Sequence, residues 1–156
     1  MTSIPIDDAA PAAQLALHDG RKVSLKALWA DRPVVLFFYP KDNSLVCTKE
    51  ACAFRDAYED FVAAGATVIG VSGDSAESHE QFATRNRLPF LLVTDADGAL
   101  RRAFGVPKTF GLIPGRVTYV IDRQGVIRHV FNGQFAADRH VREALDAVRA
   151  LSSAAT

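Results

Sequence analysis

The chain has 156 residues, 49% of them hydrophobic and 23% charged. That size and mixture support one ordinary core and argue against disorder or a fibrous repeat. Eighteen basic residues balance 18 acidic ones, so no positive surplus exists to neutralise phosphates, and nucleic acid is not an expected partner. The longest apolar runs, at 33–39 and 88–93, are too short to span a bilayer, so no membrane association is expected. Residues 1–8 place no basic residue ahead of an apolar stretch. No secretory signal is read there, and a cytoplasmic location is expected. Two cysteines do not make a disulfide scaffold at this length, so their reactivity matters more than any structural bridge.

Residues 14–17 and 22–24 flank an Asp19-Gly20 turn and predict a β-hairpin. Ser24 is placed to cap a short helix at 25–30. Residues 33–39, Pro-Val-Val-Leu-Phe-Phe-Tyr, form a continuous run of β-formers. That pattern predicts a strand buried on both faces and central in a parallel sheet. A polar loop at 40–44 leads to a helix over 48–64, with Ala51, Phe54, Tyr58, Phe61 and Val62 at helical spacing and Gly65 as its stop. A second buried strand is expected at 66–72. Asp74 and Glu77 have capping-box spacing for a helix reaching about residue 87. A third strand at 90–93, a short helix at 99–104 and a Gly- and Pro-rich loop at 105–115 follow.

Strands at 117–121 and 126–131 surround Asp122-Arg-Gln-Gly125 as a second hairpin. Asp138 is expected to cap a last helix carrying Val141, Leu145, Val148 and Leu151 on one stripe. No repeat or linker interrupts the chain, so 1–156 reads as one domain. Its class is α/β with a mixed sheet, parallel crossovers at the centre and the late hairpin as an antiparallel edge.

The chemistry-bearing segment is 38–52, Phe-Tyr-Pro-Lys-Asp-Asn-Ser-Leu-Val-Cys-Thr-Lys-Glu-Ala-Cys. A central strand ends, and a loop delivers Cys47 to the first turn of a helix. Sites in open α/β sheets lie at the carboxyl ends of strands, and a helix N-terminus favours the thiolate form of a cysteine. The alternative is a cysteine that merely packs. Cys52 follows five positions later, which on an intact helix separates the two Cα atoms by about 8–9 Å. A disulfide requires less than about 7 Å, so a bond between them would need the first helical turn to unwind and would be a switch rather than a staple. The pattern fits an attacking thiolate with a resolving thiol, or a reactive cysteine followed by a small core residue.

This segment resembles the peroxiredoxins, whose signature Pro-x-x-x-Thr/Ser-x-x-Cys is met by Pro40, Ser44 and Cys47. The longer string Phe-Tyr-Pro-Lys-Asp, then Cys47-Thr-Lys-Glu-Ala-Cys52, is similar to the Q-type branch, also called bacterioferritin comigratory protein. Arg116-Val-Thr-Tyr-Val-Ile-Asp122 matches the family's Arg-x-x-x-x-Ile-Asp strand. Ser44 stands where Thr is usual, and Leu45-Val46 replaces a common Pro-Gly pair.

The resemblance implies a thioredoxin-like fold, with a central mixed sheet flanked by helices and an N-terminal hairpin. It implies an antioxidant, thiol-dependent peroxidase acting on hydrogen peroxide and organic hydroperoxides. Cys47 would be peroxidatic and pass through a sulfenic acid. Cys52 would resolve it as an intramolecular disulfide. Arg116 would stabilise charge beside Cys47, the Ser44 hydroxyl would donate to the peroxide, and Pro40, lacking an N–H, would shield the thiolate. Thioredoxin is the implied reductant, with glutaredoxin second, and the implied state is a monomer. The role of Glu50 stays open between orienting Arg116 and favouring the helix N-terminus.

Other readings remain. The four histidines, His18, His79, His129 and His140, are scattered, so no metal or cofactor is expected. A Cys-His hydrolase needs a base near Cys47, and no local pattern brings His129 or His140 there. A dithiol exchange protein would usually carry Cys-x-x-Cys. A redox sensor would oxidise once, whereas a peroxidase cycles with its reductant.

Overall fold

In chain order the elements are β1 (Gln14–Ala16), β2 (Lys22–Ser24), α1 (Leu25–Asp31), β3 (Val34–Phe38), α2 (Leu45–Asp56), α3 (Tyr58–Ala63) and β4 (Thr67–Ser72). Then come α4 (Ala76–Asn86), β5 (Leu91–Thr94), α5 (Ala99–Ala103), β6 (Lys108–Thr109), β7 (Ile113–Pro114), β8 (Val117–Ile121), β9 (Ile127–Asn132) and α6 (Ala137–Ala154). The computed structural model describes residues 4–42, 45–106, 108–109, 113–114, 116–133 and 137–154. Among these residues no helix is long and apolar enough to cross a membrane.

The central sheet has the order β5-β4-β3-β8-β9. Strands β3, β4 and β5 run parallel, β8 pairs antiparallel with β3, and β9 closes the sheet as the second arm of the β8–β9 hairpin. The expected α/β class with a mixed sheet is the observed one. Strand β3 is central, as its apolar run predicts, but only one of its neighbours is parallel. Burial on both faces requires covering layers, not parallel partners, so an unbroken apolar run does not report strand direction.

Alternation along β3 divides the core. Val34, Leu36 and Phe38 point into a layer with Leu15, Trp29, Leu100 and Phe104. Val35, Phe37 and Tyr39 point to the opposite layer, against Phe54 and Ala51 of α2, Phe61 of α3, Phe82 of α4 and Val141, Leu145 and Val148 of α6. The stripe expected on the last helix is therefore its core face, although Asp138 lies within its first turn rather than as its cap.

Helix α2 begins earlier than the apolar spacing suggests, at Leu45, so both cysteines lie within it. The predicted helix 48–64 is two helices bent at Ala57 (φ −94°, ψ 4°). Hydrogen bonds pass through the bend, from the Ala57 amide to Ala53 O and from the Phe61 amide to Ala57 O. Ser24 caps α1 as expected, accepting from the Ala27 amide. Helix α4 is capped by Ser75, which accepts from the Ser78 amide at 3.1 Å. Asp74 is drawn away to the Ser72 hydroxyl at 2.7 Å and the Asp42 amide at 2.8 Å. The loop at 105–115 holds β6 and β7, two residues each, too short for a sequence period to show.

Gly70, in the middle of β4, positions the face on which α2 sits. A Cβ there would lie 2.7 Å from Phe37 Cζ and 2.9 Å from Leu92 Cδ2. The Phe37 ring fills that space and stacks on Phe54 of α2 with centroids 4.4 Å apart. Gly70→Ala should therefore overpack the site's floor and lower stability by about 1–3 kcal/mol. Urea denaturation checks this: the midpoint should fall with an unchanged slope.

Candidate active site

Three elements converge at the carboxyl end of β3: that strand itself, α2 and β8. Tyr39 and the half-buried Pro40 follow that strand directly. Helix α2 brings in Cys47 as its third residue and Glu50 one turn later. On a helix, positions i and i+3 share a face. Strand β8 is in register with β3 through Val117 opposite Phe38, so Arg116, just before it, arrives at the same end of the sheet.

The Arg116 guanidinium lies between the two α2 side chains. Its Nη2 donates to Cys47 Sγ at 3.0 Å, and its Nη1 donates to Glu50 Oε1 at 2.7 Å. Cys47 is 1% exposed, Arg116 2% and Glu50 0%. Of the residues singled out in the sequence, Cys47 and Arg116 meet directly, and Pro40 lies two positions beyond the end of β3. Ser44 lies outside the described residues.

Cys52 occupies the same intact helix but faces elsewhere. Its half-buried thiol meets Asn86 Oδ1 of α4 at 3.7 Å, whereas Cys47 faces β8. Both cysteines are free thiols.

Behind Glu50 sits a group that sequence reading missed. Glu50 Oε2 has no hydrogen-bond partner among the described residues, and it lies 3.5 Å from His140 Nδ1 of α6. His140 Nε2 meets the Gly133 carbonyl at 2.7 Å, and Nδ1 meets the Thr118 hydroxyl at 2.7 Å. A carbonyl can only accept, so Nε2 carries the hydrogen and the Thr118 hydroxyl donates to Nδ1. Spacing from Cys47 could have flagged Glu50. No local signal pairs it with His140, ninety positions away in the chain. Neither His140 nor His129 hydrogen-bonds Cys47: His140 lies behind Glu50, and His129 is 3.5 Å from Glu143. The hydrolase alternative thereby loses its base.

Burial sets the charges here. Desolvation pushes the Glu50 carboxyl up to about 7, against the pull of Arg116. Desolvation also pushes His140 down to about 4, with the Arg116 charge adding to it. Burial works to lower Arg116, but Glu50 and Cys47 outweigh it and hold the guanidinium charged.

A second buried cluster fixes the start of the loop that leads to Cys47. Tyr39 donates to Asp42 Oδ1 at 2.6 Å, and Ser78 donates to Asp42 Oδ2 at 2.9 Å. His79 Nδ1 meets the same oxygen at 2.6 Å, and its Nε2 meets the Val93 carbonyl at 2.9 Å. Burial, then the Asp42 charge, raises Tyr39 well above its ordinary value and keeps the phenol a donor. Among the described residues, Asp42, Asp74 and His79 have metal-ligand spacing, within 4.8 Å of one another. Their facing atoms are already engaged in these bonds and in those of Asp74 to Ser72 and the Asp42 amide. The donor set is thus satisfied internally and is a poor fit to a cation.

Residues 6–130 match the AhpC/TSA family. Peroxiredoxin Q from the chloroplast of Oryza sativa subsp. japonica is 49% identical over 144 residues, which is 92% of this chain and 66% of that protein. The chain therefore spans just under two thirds of the rice protein's length. The chloroplastic peroxiredoxin Q of Sedum lineare is 48% identical, over 90% of this chain and 76% of its own. Among solved structures, the peroxidoxin BcpB of Mycobacterium tuberculosis superposes with a TM-score of 0.88 at 34% identity, covering 97% of this chain and 99% of its own. The bacterioferritin comigratory protein of Xanthomonas campestris, described for its alkyl peroxide reduction activity, gives 0.83 at 31% identity, over 93% and 99%. The thioredoxin-like arrangement expected from the sequence is the arrangement these structures share. Both plant relatives are chloroplastic, which overturns the expected cytoplasmic location. That expectation rested on a missing signal, and buried thiol chemistry of this kind is not tied to one compartment.

The charges of Glu50 and His140 make opposite contributions to stability. The folded state holds the Glu50 proton more tightly than the unfolded chain, so this contribution is lost as pH rises from about 4.5 to about 7. The folded state resists protonating His140, so that contribution grows as pH rises from about 4 to 6.5. Shifts of this size are each worth about 3 kcal/mol and largely offset one another. Glu50→Gln should unmask the His140 slope, and relative to the parent it should gain about 3 kcal/mol between pH 4.5 and 7. Urea denaturation at the two pH values tests this, and a constant difference between the proteins would refute it.

Proposed function

This chain belongs to the AhpC/TSA family, and on that premise we propose that it is a thiol-dependent peroxidase of the peroxiredoxin Q kind, reducing hydrogen peroxide and organic hydroperoxides. The observation that carries the reading is the Arg116 guanidinium 3.0 Å from the buried Cys47 sulfur. A fixed cation in a water-poor site favours negative charge on sulfur without reorganisation during the reaction. The alkyl peroxide reduction described for the Xanthomonas relative supports organic hydroperoxides as substrates.

Cys47 thiolate attacks the terminal peroxide oxygen. A sulfur–oxygen bond forms as the oxygen–oxygen bond breaks, two electrons leave sulfur, and the departing alkoxide takes a proton. Arg116 faces the charge that spreads over sulfur and both oxygens. Pro40 has no N–H to hold water against the thiolate, and Ser44 supplies a hydroxyl donor to the peroxide.

Cys52 then displaces hydroxide from the sulfenic sulfur, forming a disulfide and water. Five positions along an intact helix leave the Cα atoms about 8–9 Å apart, and the two thiols point to different neighbours. Resolution therefore requires the start of α2 to open locally. A thioredoxin-type dithiol, with glutaredoxin the second choice, returns both thiols by exchange. An internal resolving cysteine makes a partner subunit unnecessary, so the working unit is a monomer of one domain, 1–156.

Intact mass after one equivalent of hydrogen peroxide, on the parent and on Cys52→Ser, tests the reaction. The parent should lose two hydrogens, the variant should gain one oxygen, and only the parent should cycle with thioredoxin. Cys47 left reduced would end the peroxidase reading, and oxidation without turnover would favour a redox sensor. Hydrogen exchange tests the opening separately: the disulfide form should lose protection across 45–54, and unchanged protection there would exclude it.

A further inference from the structure

Cys47, Glu50 and Arg116 are buried together, and among the described residues at the site Arg116 is the one permanent cation. Arg116 is shared between Cys47 at 3.0 Å and Glu50 at 2.7 Å, and all three side chains are almost wholly removed from water. Two anions around one buried cation leave an uncompensated charge in a low dielectric, which is strongly disfavoured. The orphaned Oε2 of Glu50 points to the same conclusion independently. It faces His140 Nδ1 at 3.5 Å, and that nitrogen already accepts from Thr118 while Nε2 donates to Gly133. No donor therefore meets Oε2 among the described residues, and a buried carboxyl oxygen left without a donor disfavours the ionised form.

We infer that Glu50 is a charge-compensating residue: it holds a proton while Cys47 is a thiolate, and gives that proton up when Cys47 becomes a neutral sulfenic acid. This rests on the peroxidase reading above. The step balances. Thiolate, protonated Glu50 and hydroperoxide become sulfenic acid, ionised Glu50 and alcohol. Sulfur loses two electrons to the oxygen–oxygen bond, and the proton lost by Glu50 equals the one taken by the leaving alkoxide. At every stage one anion faces Arg116: first the sulfur, then the carboxylate. Glu50 touches Arg116 rather than the peroxide, so it acts through the guanidinium. The equality of protons needs no direct transfer.

Groups on each surrounding element bear on this balance. From β8 comes Arg116 and from α2 Cys47. From α6 comes His140, itself influenced by Glu143 and Arg139. From α4, the Asn86 side chain meets α2 at Cys52 and is uncharged. Burial raises the Glu50 carboxyl to about 7, which keeps its proton available just below neutrality.

The test is proton stoichiometry in weakly buffered solution near pH 6.5, on Cys52→Ser so that oxidation stops at the sulfenic acid. One equivalent of hydrogen peroxide is added, and an indicator dye reads proton exchange while intact mass reads the added oxygen. Cys52→Ser protein with Glu50 present should take up almost no proton. With Glu50→Gln added it should take up one proton per sulfenic acid formed. A merely structural Glu50 would leave the two proteins with equal uptake. If the Gln variant does not fold, difference infrared spectra of Cys52→Ser alone decide: a protonated-carboxyl band should disappear on oxidation. Oxygen gained with a full proton taken up by the Glu50-containing protein, or no loss of that band, overturns the assignment and leaves the peroxidase reading intact. No oxygen gained at Cys47 overturns both.

Discussion

The buried guanidinium of Arg116 is the feature on which the rest of the site depends. A cation removed from water is tolerated only where anionic or strongly accepting partners surround it. Glu50 and Cys47 fill that role from one helix face. That requirement fixes how α2 must sit on the sheet and how β8 must end. A rotation of the helix by one residue would carry both partners away from the guanidinium. The aromatic floor of Phe37 and Phe54 holds the helix at that angle, and Gly70 leaves the space in which the floor lies flat.

The loop that precedes Cys47 is anchored at its start. Asp42 collects hydrogen bonds from Tyr39, Ser78 and His79, and its amide is held by Asp74. This network ties the ends of β3 and β4 to the start of α4, whereas Cys47 in the first turn of α2 is bonded by Arg116. In the proposed mechanism that thiol is held for one step and released for the next by local opening at the start of α2.

Two buried titratable groups, Glu50 and His140, are pushed in opposite directions by the same cause. Burial penalises whichever form is charged, so it raises an acid and lowers a base. Their proximity makes a neutral acid facing a neutral imidazole the natural resting arrangement. The site thereby carries a charge reserve that a surface carboxylate, already ionised at neutral pH, could not provide.

Much of this was legible in the residues themselves. The apolar run at 33–39 announced a strand covered on both faces, and the Asp-Gly turn announced the first hairpin. Pro40, Ser44, Cys47, Cys52 and Arg116 were singled out by short motifs that resemble a family's, and the structure joins Cys47 to Arg116. Helical spacing also bounded the distance between the two cysteines. What local pattern could not decide were contacts between distant segments. Arg116 meets Cys47 and Glu50 across 69 and 66 positions. His140 reaches the back of Glu50 only because α6 packs against both α2 and β8. The capping role passed from Asp74 to Ser75 because a tertiary partner, Asp42, claimed the aspartate. Periodicity and turn chemistry act between chain neighbours and so are written in the sequence. Burial and the charges it permits arise only when layers close over a site, and so the tertiary structure alone decided them.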